Sequence, residues 1–521
     1  MDTDRARQHA VGDIPRRTAA RYAHKTAIID GATTLTFAEF DQAVNRVANA
    51  LLERGLRKGD RCAILSRNRW EYAVLSFATA RIGVILVPIN FMLNAEEVAY
   101  ILEHSGAATV VAEAGLAETA DGAIALQSGD VRRIMLDGND GHRDWEPFAE
   151  LLSAPDTAPP FVSISDDDPV RLMYTSGTES RPKGALLSSR ALMWEYVSCA
   201  IDGGMSHDDV ELHALPLYHC AQLDCFLGPD IYLGATSIIT AGPDPETVLA
   251  LIEKHGVTKF FAPPTVWISL LRSPAFDTTD LSTLAKGYYG ASAMPVEVLR
   301  EIAERLPNVR LWNFYGQTEM SPVATILAPH EQLTHAGSAG RPVLNVETFV
   351  VDEHGEPLPA GEVGEIVHRS PHATLGYYND PEKTAEAFAG GFFHSGDLGV
   401  FDEHGLLRVV DRKKDMIKTG GENVASREVE EAIYLHPGVA EVAVFGVADP
   451  KWVEAVAAVV VPRDGVALTD QEVVEHCRAR LAGYKTPKHV VLAASLPKNP
   501  SGKILKRVLR EEFETSRKST A

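Results

Sequence analysis

The chain has 521 residues, 45% of them apolar and 23% charged, which predicts two to four globular units. A formal net charge of −21 argues against a nucleic-acid-binding role and against attraction to anionic membranes, so any bound anion must be held by local donors. The five cysteines are scattered without a Cys-x-x-Cys pair, which argues against a disulfide framework and a structural zinc site.

The same features predict a soluble protein in a reducing cytoplasm. The N-terminus is charged, has no apolar signal-peptide core, and no uninterrupted run of about 18 apolar residues follows it. The most apolar stretch, 72–89, is interrupted by Arg81 and predicts a core helix followed by a short buried strand. We therefore expect no integral membrane contact.

Residues 1 to about 170 alternate between strand-like and helix-like segments, as in a layered α/β domain. The segments 26–31 and 35–37 predict a β-hairpin, and the apolar spacing over 40–54 predicts a helix. Short apolar runs predict buried strands at 62–65, 84–87 and 108–111.

The most informative stretch, 174–184, reads Tyr-Thr-Ser-Gly-Thr-Glu-Ser-Arg-Pro-Lys-Gly. Its hydroxyl groups and glycine-exposed N–H groups can donate to phosphate oxygens, and Arg181 and Lys183 can balance the negative charge. It is not a Walker A loop, because that motif ends in Gly-Lys-Ser/Thr, whereas Lys183 precedes Gly184. Taken alone, an ordinary polar loop explains the stretch equally well.

Two later segments suggest pocket residues, and each also has a structural explanation. The strand-like run 213–220 ends in Tyr218 and His219, which could line a pocket, although a hydrogen-bonded structural histidine explains His219 about as well. A strand with a proline stop is expected at 257–264. The small-residue turn 287–293 could pack its tyrosine rings against a purine, although a tight strand-to-helix turn is favoured.

Two carboxylates stand out further along the chain. Thr318 and Glu319 follow a glycine and could hold Mg²⁺ against phosphates, although in isolation a helix N-terminal cap explains them better. Asp397 lies in a turn and could accept hydrogen bonds from two ribose hydroxyls, although an Asp in a turn needs no ligand. Short glycine-punctuated strands predict a β-rich subdomain over 342–412, and the charge run 411–415 predicts a domain boundary.

The last hundred residues predict a compact α+β unit. We expect strands at 440–447 and 455–461, with helices at 426–433, where a capping signal is present, and at 470–481. Lys503 lies on a glycine-hinged turn and could reach a substrate oxygen, although most surface lysines only add solubility.

Together and in this order, the motifs resemble those of the adenylate-forming superfamily of acyl- and aryl-CoA ligases, amino-acid adenylation domains and luciferases, over about residues 20 to 510. The resemblance implies an α/β fold. A large N-terminal domain, 1–412, has layered α/β subdomains and ends in the β-rich subdomain of about 342–412, and a small mobile α+β domain, 413–521, follows. ATP, Mg²⁺ and CoA as co-substrate are implied, and a homodimer is compatible with the resemblance.

The resemblance also implies roles for individual residues. Catalytic roles fall to Lys503, Glu319, Thr318 and His219. Thr175 and Glu319 would hold Mg²⁺, and Lys414 would be the interdomain hinge. Contacts to ATP or CoA are implied for Thr175, Ser176, Gly177, Thr178, Lys183, Gly290, Ala291, Ser292, Asn313, Tyr315, Gly316, Gln317, Asp397, Val409, Arg412 and Gly421.

The implied reaction has two steps. A carboxylate attacks the α-phosphate of ATP in line, while Mg²⁺ and Lys503 offset the charge, giving an acyl-adenylate and pyrophosphate. The small domain then rotates about Lys414, withdraws Lys503 and presents the Gly420-Gly421 face so that a thiol can attack the adenylate. His219 would close or orient the acyl site.

The expected substrate is a fatty or aryl monocarboxylic acid. Walls of its pocket are expected around 219–225, 261–268 and 288–293. These segments are mostly apolar, with aromatic side chains at Trp267, Tyr288 and Tyr289, and they contain no cation to bind a second carboxylate.

One departure from the family pattern is Glu179-Ser180, where Thr-Gly is usual, which reduces backbone freedom near the phosphates and marks a subgroup. Three other functions stay open. The first is a diazotase-like enzyme that activates nitrite as an adenylate for transfer to an aromatic amine. The others are an adenylating enzyme that loads a carrier protein and a non-enzymatic binding or scaffold protein.

Overall fold

The computed structural model describes residues 8–138, 142–175, 181–419, 422–498 and 504–520, with side chains up to residue 516. The chain forms two compact units, one of Met1–Thr348 with His368–Phe393 and one of Phe349–Val367 with His394–Ala521. Within the described ranges, every helix is too short or too polar to cross a membrane. The α/β fold class predicted from the sequence is confirmed.

Capping residues fix where several helices begin. The side chains of Thr36, Asn94 and Thr469 each accept a hydrogen bond from the backbone N–H three residues later. The glutamate at that later position accepts from the N–H of the capping residue, so two otherwise unpaired backbone donors per helix are satisfied. In chain order, helices α1 to α15 are Ile14–Tyr22, Phe37–Glu53, Trp70–Arg81, Ala95–Ser105, Ala117–Ala125, Phe148–Leu152, Ser189–Asp202, Gly228–Leu233, Pro245–His255, Pro264–Arg272, Val296–Arg305, Pro381–Ala387, Ser426–Tyr434, Asp470–Arg478 and Lys506–Thr520.

The strands are mostly short apolar runs. Strands β1 to β16 are Thr26–Asp30, Thr33–Thr36, Arg61–Leu65, Ile85–Ile89, Thr109–Ala112, Arg132–Met135, Glu146–Pro147, Pro169–Thr175, Lys183–Ser188, Val210–His213, Thr236–Ile239, Lys259–Phe261, Lys286–Gly290, Arg310–Gly316, Val323–Leu327 and Arg341–Pro342. Strands β17 to β26 are Glu347–Val351, Gly364–Arg369, Gly376–Tyr377, Phe393–Phe401, Leu407–Arg412, Ile417–Thr419, Glu422–Val424, Val439–Asp449, Val453–Pro462 and His489–Leu492.

Two large sheets organise the first unit. One has the strand order β16-β15-β14-β13-β12-β10-β11-β1-β2, and the other has the order β19-β9-β8-β4-β3-β5-β6-β7. Their central strands are parallel and buried, as expected when helices cover both faces. The predicted hairpin and the three predicted buried strands are confirmed as β1–β2, β3, β4 and β5.

The second unit contains two smaller sheets. One has the order β17-β18-β20-β21, in which β20 and β21 are antiparallel, and its strands lie in the stretch where short strands were predicted. The other has the order β23-β22-β25-β24, with β26 added parallel to β25. Helix α13 packs against β24 and shares an apolar core with it.

Two local predictions were wrong, and the favoured strand-to-helix turn starts later than predicted. The strand predicted over 213–220 ends at His213, because Asn68 takes the Leu215 carbonyl oxygen and the Leu217 N–H that would otherwise extend the ladder. Residues 286–290 form strand β13, and the turn begins only at 291. Helix α13 has no side-chain cap, because Ser426 is already helical and its N–H instead donates to the Asp411 carboxylate.

Candidate active site

The first part of the site lies where β8 ends and β9 begins. Thr175, the last residue of β8, is in register with Lys183, the first residue of β9, so the predicted phosphate loop spans these two strand ends. The Arg181 guanidinium lies over the Tyr100 ring, 5.3 Å from its centroid. Outside the described residues lie Ser176, Gly177, Thr178, Glu179 and Ser180.

Tyr377 connects Lys183 to Glu319. Its hydroxyl donates to Oε1 of Glu319 at 2.8 Å, and Nζ of Lys183 lies over its ring, 5.3 Å from the centroid. Thr374 donates its N–H to the Glu319 carbonyl oxygen at 2.7 Å and its hydroxyl to the Leu186 carbonyl oxygen of β9 at 2.6 Å. These contacts hold the Glu319 carboxylate beside the start of β9, where the Lys183 ammonium supplies positive charge.

The predicted purine turn has a crowded, exposed backbone. A Cβ on Gly290 would lie 2.6 Å from the Phe314 carbonyl oxygen, and one on Gly316 would lie 2.0 Å from a backbone oxygen, so neither position accepts a side chain. Ala291 has φ of 64°, a left-handed conformation that costs alanine energy, and both Ala291 and Ser292 are exposed. The turn thus exposes Ala291 and Ser292, while the two glycines beside it pack closely against neighbouring backbone.

The predicted nucleotide contacts along β14 differ in what they already bind. Asn313 is buried and donates to the Ser338 carbonyl oxygen at 2.9 Å, which is a structural contact. The Tyr315 ring lies 6.4 Å from the His368 ring. The amide N and O of Gln317 are inaccessible to solvent and have no hydrogen-bond partner among the described residues. Gln317 therefore has unused capacity for a ligand.

His219 and Thr318 are joined through Cys220. The Cys220 sulfur lies 3.3 Å from the Thr318 hydroxyl, and burial raises the pKa of this thiol, which keeps it neutral. The Ala221 N–H donates to Nδ1 of His219 at 3.2 Å, so the neutral imidazole carries its proton on Nε2. The neighbouring Tyr218 hydroxyl is buried without a hydrogen-bond partner among the described residues.

The second unit contains the other predicted ligand residues. Asp397 and Arg412 are in register on β20 and β21, and Nε of Arg412 lies 3.1 Å from the buried Asp397 carboxylate. The Val409 carbonyl oxygen accepts from Arg427 at 3.1 Å. Lys414 is exposed in the turn between β21 and β22. Outside the described residues lie Gly420, Gly421 and Lys503.

The structure separates the aromatic residues expected in one acid pocket. Tyr288 shares an apolar cluster with Phe261 and Cys225. Trp267 and Tyr289 belong to a different cluster, because neighbouring side chains on β13 point to opposite faces of the sheet. One residue from each expected wall, Cys225, Phe261 and Tyr288, therefore lies in a shared cluster, whereas Trp267 and Tyr289 do not.

Sequence reasoning missed Tyr377. It is far from Lys183 in sequence, and the pairing of β19 with β9 brings the two together. The available signal was Gly376 followed by two tyrosines, and Gly376 has φ of 128°, which few other residues adopt. A tyrosine pair alone does not predict contact with a carboxylate 58 residues earlier.

Comparisons with known proteins cover nearly the whole chain. A model of the AMP-binding enzyme family matches residues 15–378, and a model of the AMP-binding enzyme C-terminal domain matches residues 428–503. A feruloyl-CoA synthase of Amycolatopsis sp. is 38% identical over 507 residues, which is 97% of this chain and 100% of that protein.

Two further similarities have comparable extent. The long-chain-fatty-acid–CoA ligase FadD13 of Mycobacterium tuberculosis is 36% identical over 485 residues, covering 92% of this chain and 94% of that one. The crystal structure of the anthranilate CoA ligase AuaEII in complex with anthranoyl-AMP aligns with a TM-score of 0.89 at 26% identity, covering 97% of both chains.

Proposed function

Because the chain belongs to the AMP-binding enzymes and is an ATP-dependent acid:CoA ligase that acts through an adenylate, we propose that it activates an aryl or fatty monocarboxylic acid. The observation that carries the proposal is the near full-length similarity to one ligase of an aryl acid and one of a long-chain acid. Pyrophosphate leaves in the first step, and the acyl group passes to CoA in the second.

Lys183, Thr175 and Glu319 form the proposed phosphate end of the site. Lys183 supplies positive charge at the strand end from which the loop emerges, and Tyr377 orients the Glu319 carboxylate towards it. Carboxylate and hydroxyl oxygens are ligands that Mg²⁺ accepts, so Glu319 and Thr175 fit the metal that this chemistry uses. When bound, Mg²⁺ would neutralise charge on the phosphates.

The base and ribose contacts are proposed on separate grounds in each unit. The exposed residues Ala291 and Ser292 and the unpartnered amide of Gln317 suit a purine, which presents both donors and acceptors. Asp397 has carboxylate oxygens that can accept from ribose hydroxyls, and the Arg412 guanidinium 3.1 Å away fixes the orientation of this carboxylate. Lys503 as catalytic lysine and Lys414 as hinge remain proposals from the family resemblance.

The proposed acid site uses His219 and the aromatic cluster beside it. The Phe226 and Phe261 rings stack with centroids 4.3 Å apart, and Tyr288 meets Phe226 edge-on at 5.3 Å. These rings are buried against one another and form the apolar side of the acid site that we propose. We also propose a cytoplasmic location, which the five unpaired cysteines support.

The test is a panel of aryl and fatty acids, plus nitrite with an aromatic amine, each incubated with Mg-ATP in the presence and absence of CoA. Product masses identify the acyl-CoA, the acyl-adenylate or a diazo compound. Acyl-CoA formation with one class of acid supports the proposal and names that class. AMP release driven by nitrite without CoA would favour the diazotising function, and acyl transfer only to a carrier protein would favour the loading enzyme.

A further inference from the structure

A buried cluster in the first unit is not used by the proposed reaction. Glu195 and Cys199 lie one turn apart on α7, and Cys225 lies in the π-helical segment Ala221–Leu227. A carboxylate oxygen of Glu195 and the two sulfurs all lie within 4.8 Å of one another. Each of the three residues is at most 3% exposed.

Glu195 has unused binding capacity. Its Oε1 accepts from the Cys225 thiol at 3.0 Å and from the Val323 N–H at 3.4 Å. Its Oε2 is inaccessible to solvent and has no hydrogen-bond partner among the described residues. The groups that act on this carboxyl electrostatically are Cys199 and Asp224, and neither is a cation. Burial raises the pKa of this carboxyl well above its ordinary value, so the group is neutral in the absence of a cation, and its unpartnered oxygen is the atom that a cation would bind.

A second cluster shows what such a group of ligands looks like when it has its own cation. The ligand atoms of Glu211, His213 and Asp230 also lie within 4.8 Å of one another and are fully buried. Nζ of Lys259 lies 2.6 Å from Glu211 and 2.5 Å from Asp230, so an ammonium group neutralises those carboxylates. Around Glu195 the described chain places no such group.

We propose that Glu195, Cys199 and Cys225 bind a thiophilic divalent cation of the zinc class. Two thiolates and one carboxylate are a ligand set that Zn²⁺ accepts. Tetrahedral zinc with bonds of about 2.3 Å would place the two sulfurs ~3.8 Å apart, which the observed spacing accommodates with small side-chain movements. Binding releases the protons of both thiols and of the Glu195 carboxyl to solvent, and a water molecule completes the four ligands.

The site would have a structural role. It would tie α7 to the π-helical segment that follows His219 and Cys220, and through the Val323 N–H contact it would also hold the start of β15. Cys199 and Cys225 come from separate elements, so this site leaves no Cys-x-x-Cys pair in the sequence. The inference does not depend on the proposed reaction, because metal content can be measured without any substrate.

The test measures metal in the full-length protein purified without chelators from zinc-supplemented medium. We expect one zinc per chain by inductively coupled plasma mass spectrometry, and a thiolate-to-cobalt charge-transfer absorption after exchange with Co²⁺. Cys199→Ser, Cys225→Ser and Glu195→Gln should each lower zinc affinity at least tenfold. Cys62→Ser and Cys477→Ser are matched controls, because these buried cysteines belong to other apolar clusters and should retain the metal.

Two results would overturn the proposal. The first is wild-type protein that contains no zinc and shows no cobalt–thiolate absorption, a measurement that requires no variant to fold. The second is equal metal loss in the control variants and the cluster variants, with circular dichroism showing that all are folded.

Discussion

At the scale of single residues, Tyr377 is the contact on which the phosphate end of the site depends. Its hydroxyl holds the Glu319 carboxylate, and its ring lies under the Lys183 ammonium. The two charged groups therefore share one positioning side chain. Removing the hydroxyl leaves the ring and the charges in place, which isolates the hydrogen bond.

We predict that Tyr377→Phe lowers the rate of adenylate formation about tenfold, because a hydrogen bond to a charged group contributes ~1.5 kcal/mol. The rate is measured as acid-dependent exchange of pyrophosphate into ATP. Tyr378→Phe is the control, because Tyr378 packs against His104 instead of the carboxylate. An unchanged rate in Tyr377→Phe would show that the contact does not orient Glu319 for the reaction.

Ala291 stores backbone strain in the predicted purine turn. Its φ of 64° disfavours any residue with a Cβ, so Ala291→Gly should raise the free energy of unfolding by about 1 kcal/mol. Denaturant unfolding measures this change. Ser292→Gly, in the same turn but without positive φ, should give no gain. A lower free energy of unfolding in Ala291→Gly than in wild type would contradict the inferred backbone strain.

At the scale of elements, two buried histidines join strands and helices of the first unit. Nε2 of His372 contacts the Ser198 hydroxyl on α7 at 3.1 Å, and its Nδ1–H donates to the Val323 carbonyl oxygen at 3.2 Å. Burial lowers the pKa of His372 to about 4 and that of His368 to about 3, from an ordinary value of 6.5. Both imidazoles are neutral in the folded protein at neutral pH.

These shifts predict how stability depends on pH. Between pH 6.5 and 4 the unfolded chain binds protons at these histidines and the folded chain does not, so stability falls as the pH is lowered. His372 alone would contribute about 3 kcal/mol to this loss. Denaturation of His372→Gln across this range should show a shallower dependence than wild type, while the exposed His354→Gln should match wild type. Equal slopes in all three proteins would contradict the account.

The elements were predicted best where the apolar pattern was strong. The strands β3, β4 and β5 and helix α2 follow directly from buried runs and helical spacing. The strand expected over 213–220 failed because the Asn68 side chain, from another part of the chain, takes its backbone groups. Long-range side-chain contacts of this kind leave no local signal.

In the candidate site, too, local sequence signals and long-range contacts differ in what they allow to be predicted. Residues at or near a glycine, such as Gly316 and Glu319, could be proposed from turn chemistry together with the order of motifs. Tyr377 and the partition of Trp267 from Tyr288 could not, because they depend on strand pairing and on which face of a sheet each side chain occupies.

At the scale of the whole molecule, the proposed second step requires the C-terminal domain to move. The predicted boundary after residue 412 and the hinge at Lys414 stay predictions. Lys414 lies in an exposed turn between two strands, where a change of φ and ψ disturbs no core.

We predict that Lys414→Pro slows acyl transfer to CoA at least tenfold while adenylate formation changes less than threefold, because proline fixes φ at the hinge. Single-turnover kinetics from a preformed adenylate separate the two steps. Lys414→Ala is the control, since it removes the charge and keeps the backbone freedom. Equal slowing of both steps would place the hinge elsewhere.

The measurement that tests the central claim most directly is exchange of labelled pyrophosphate into ATP, with and without the carboxylic acid, in the absence of CoA. A ligase that forms an acyl-adenylate should exchange label only when its acid is present, and Lys503→Ala should abolish the exchange while circular dichroism shows a folded chain. Acid-independent exchange, or full exchange in Lys503→Ala, would contradict the adenylate mechanism proposed for this chain.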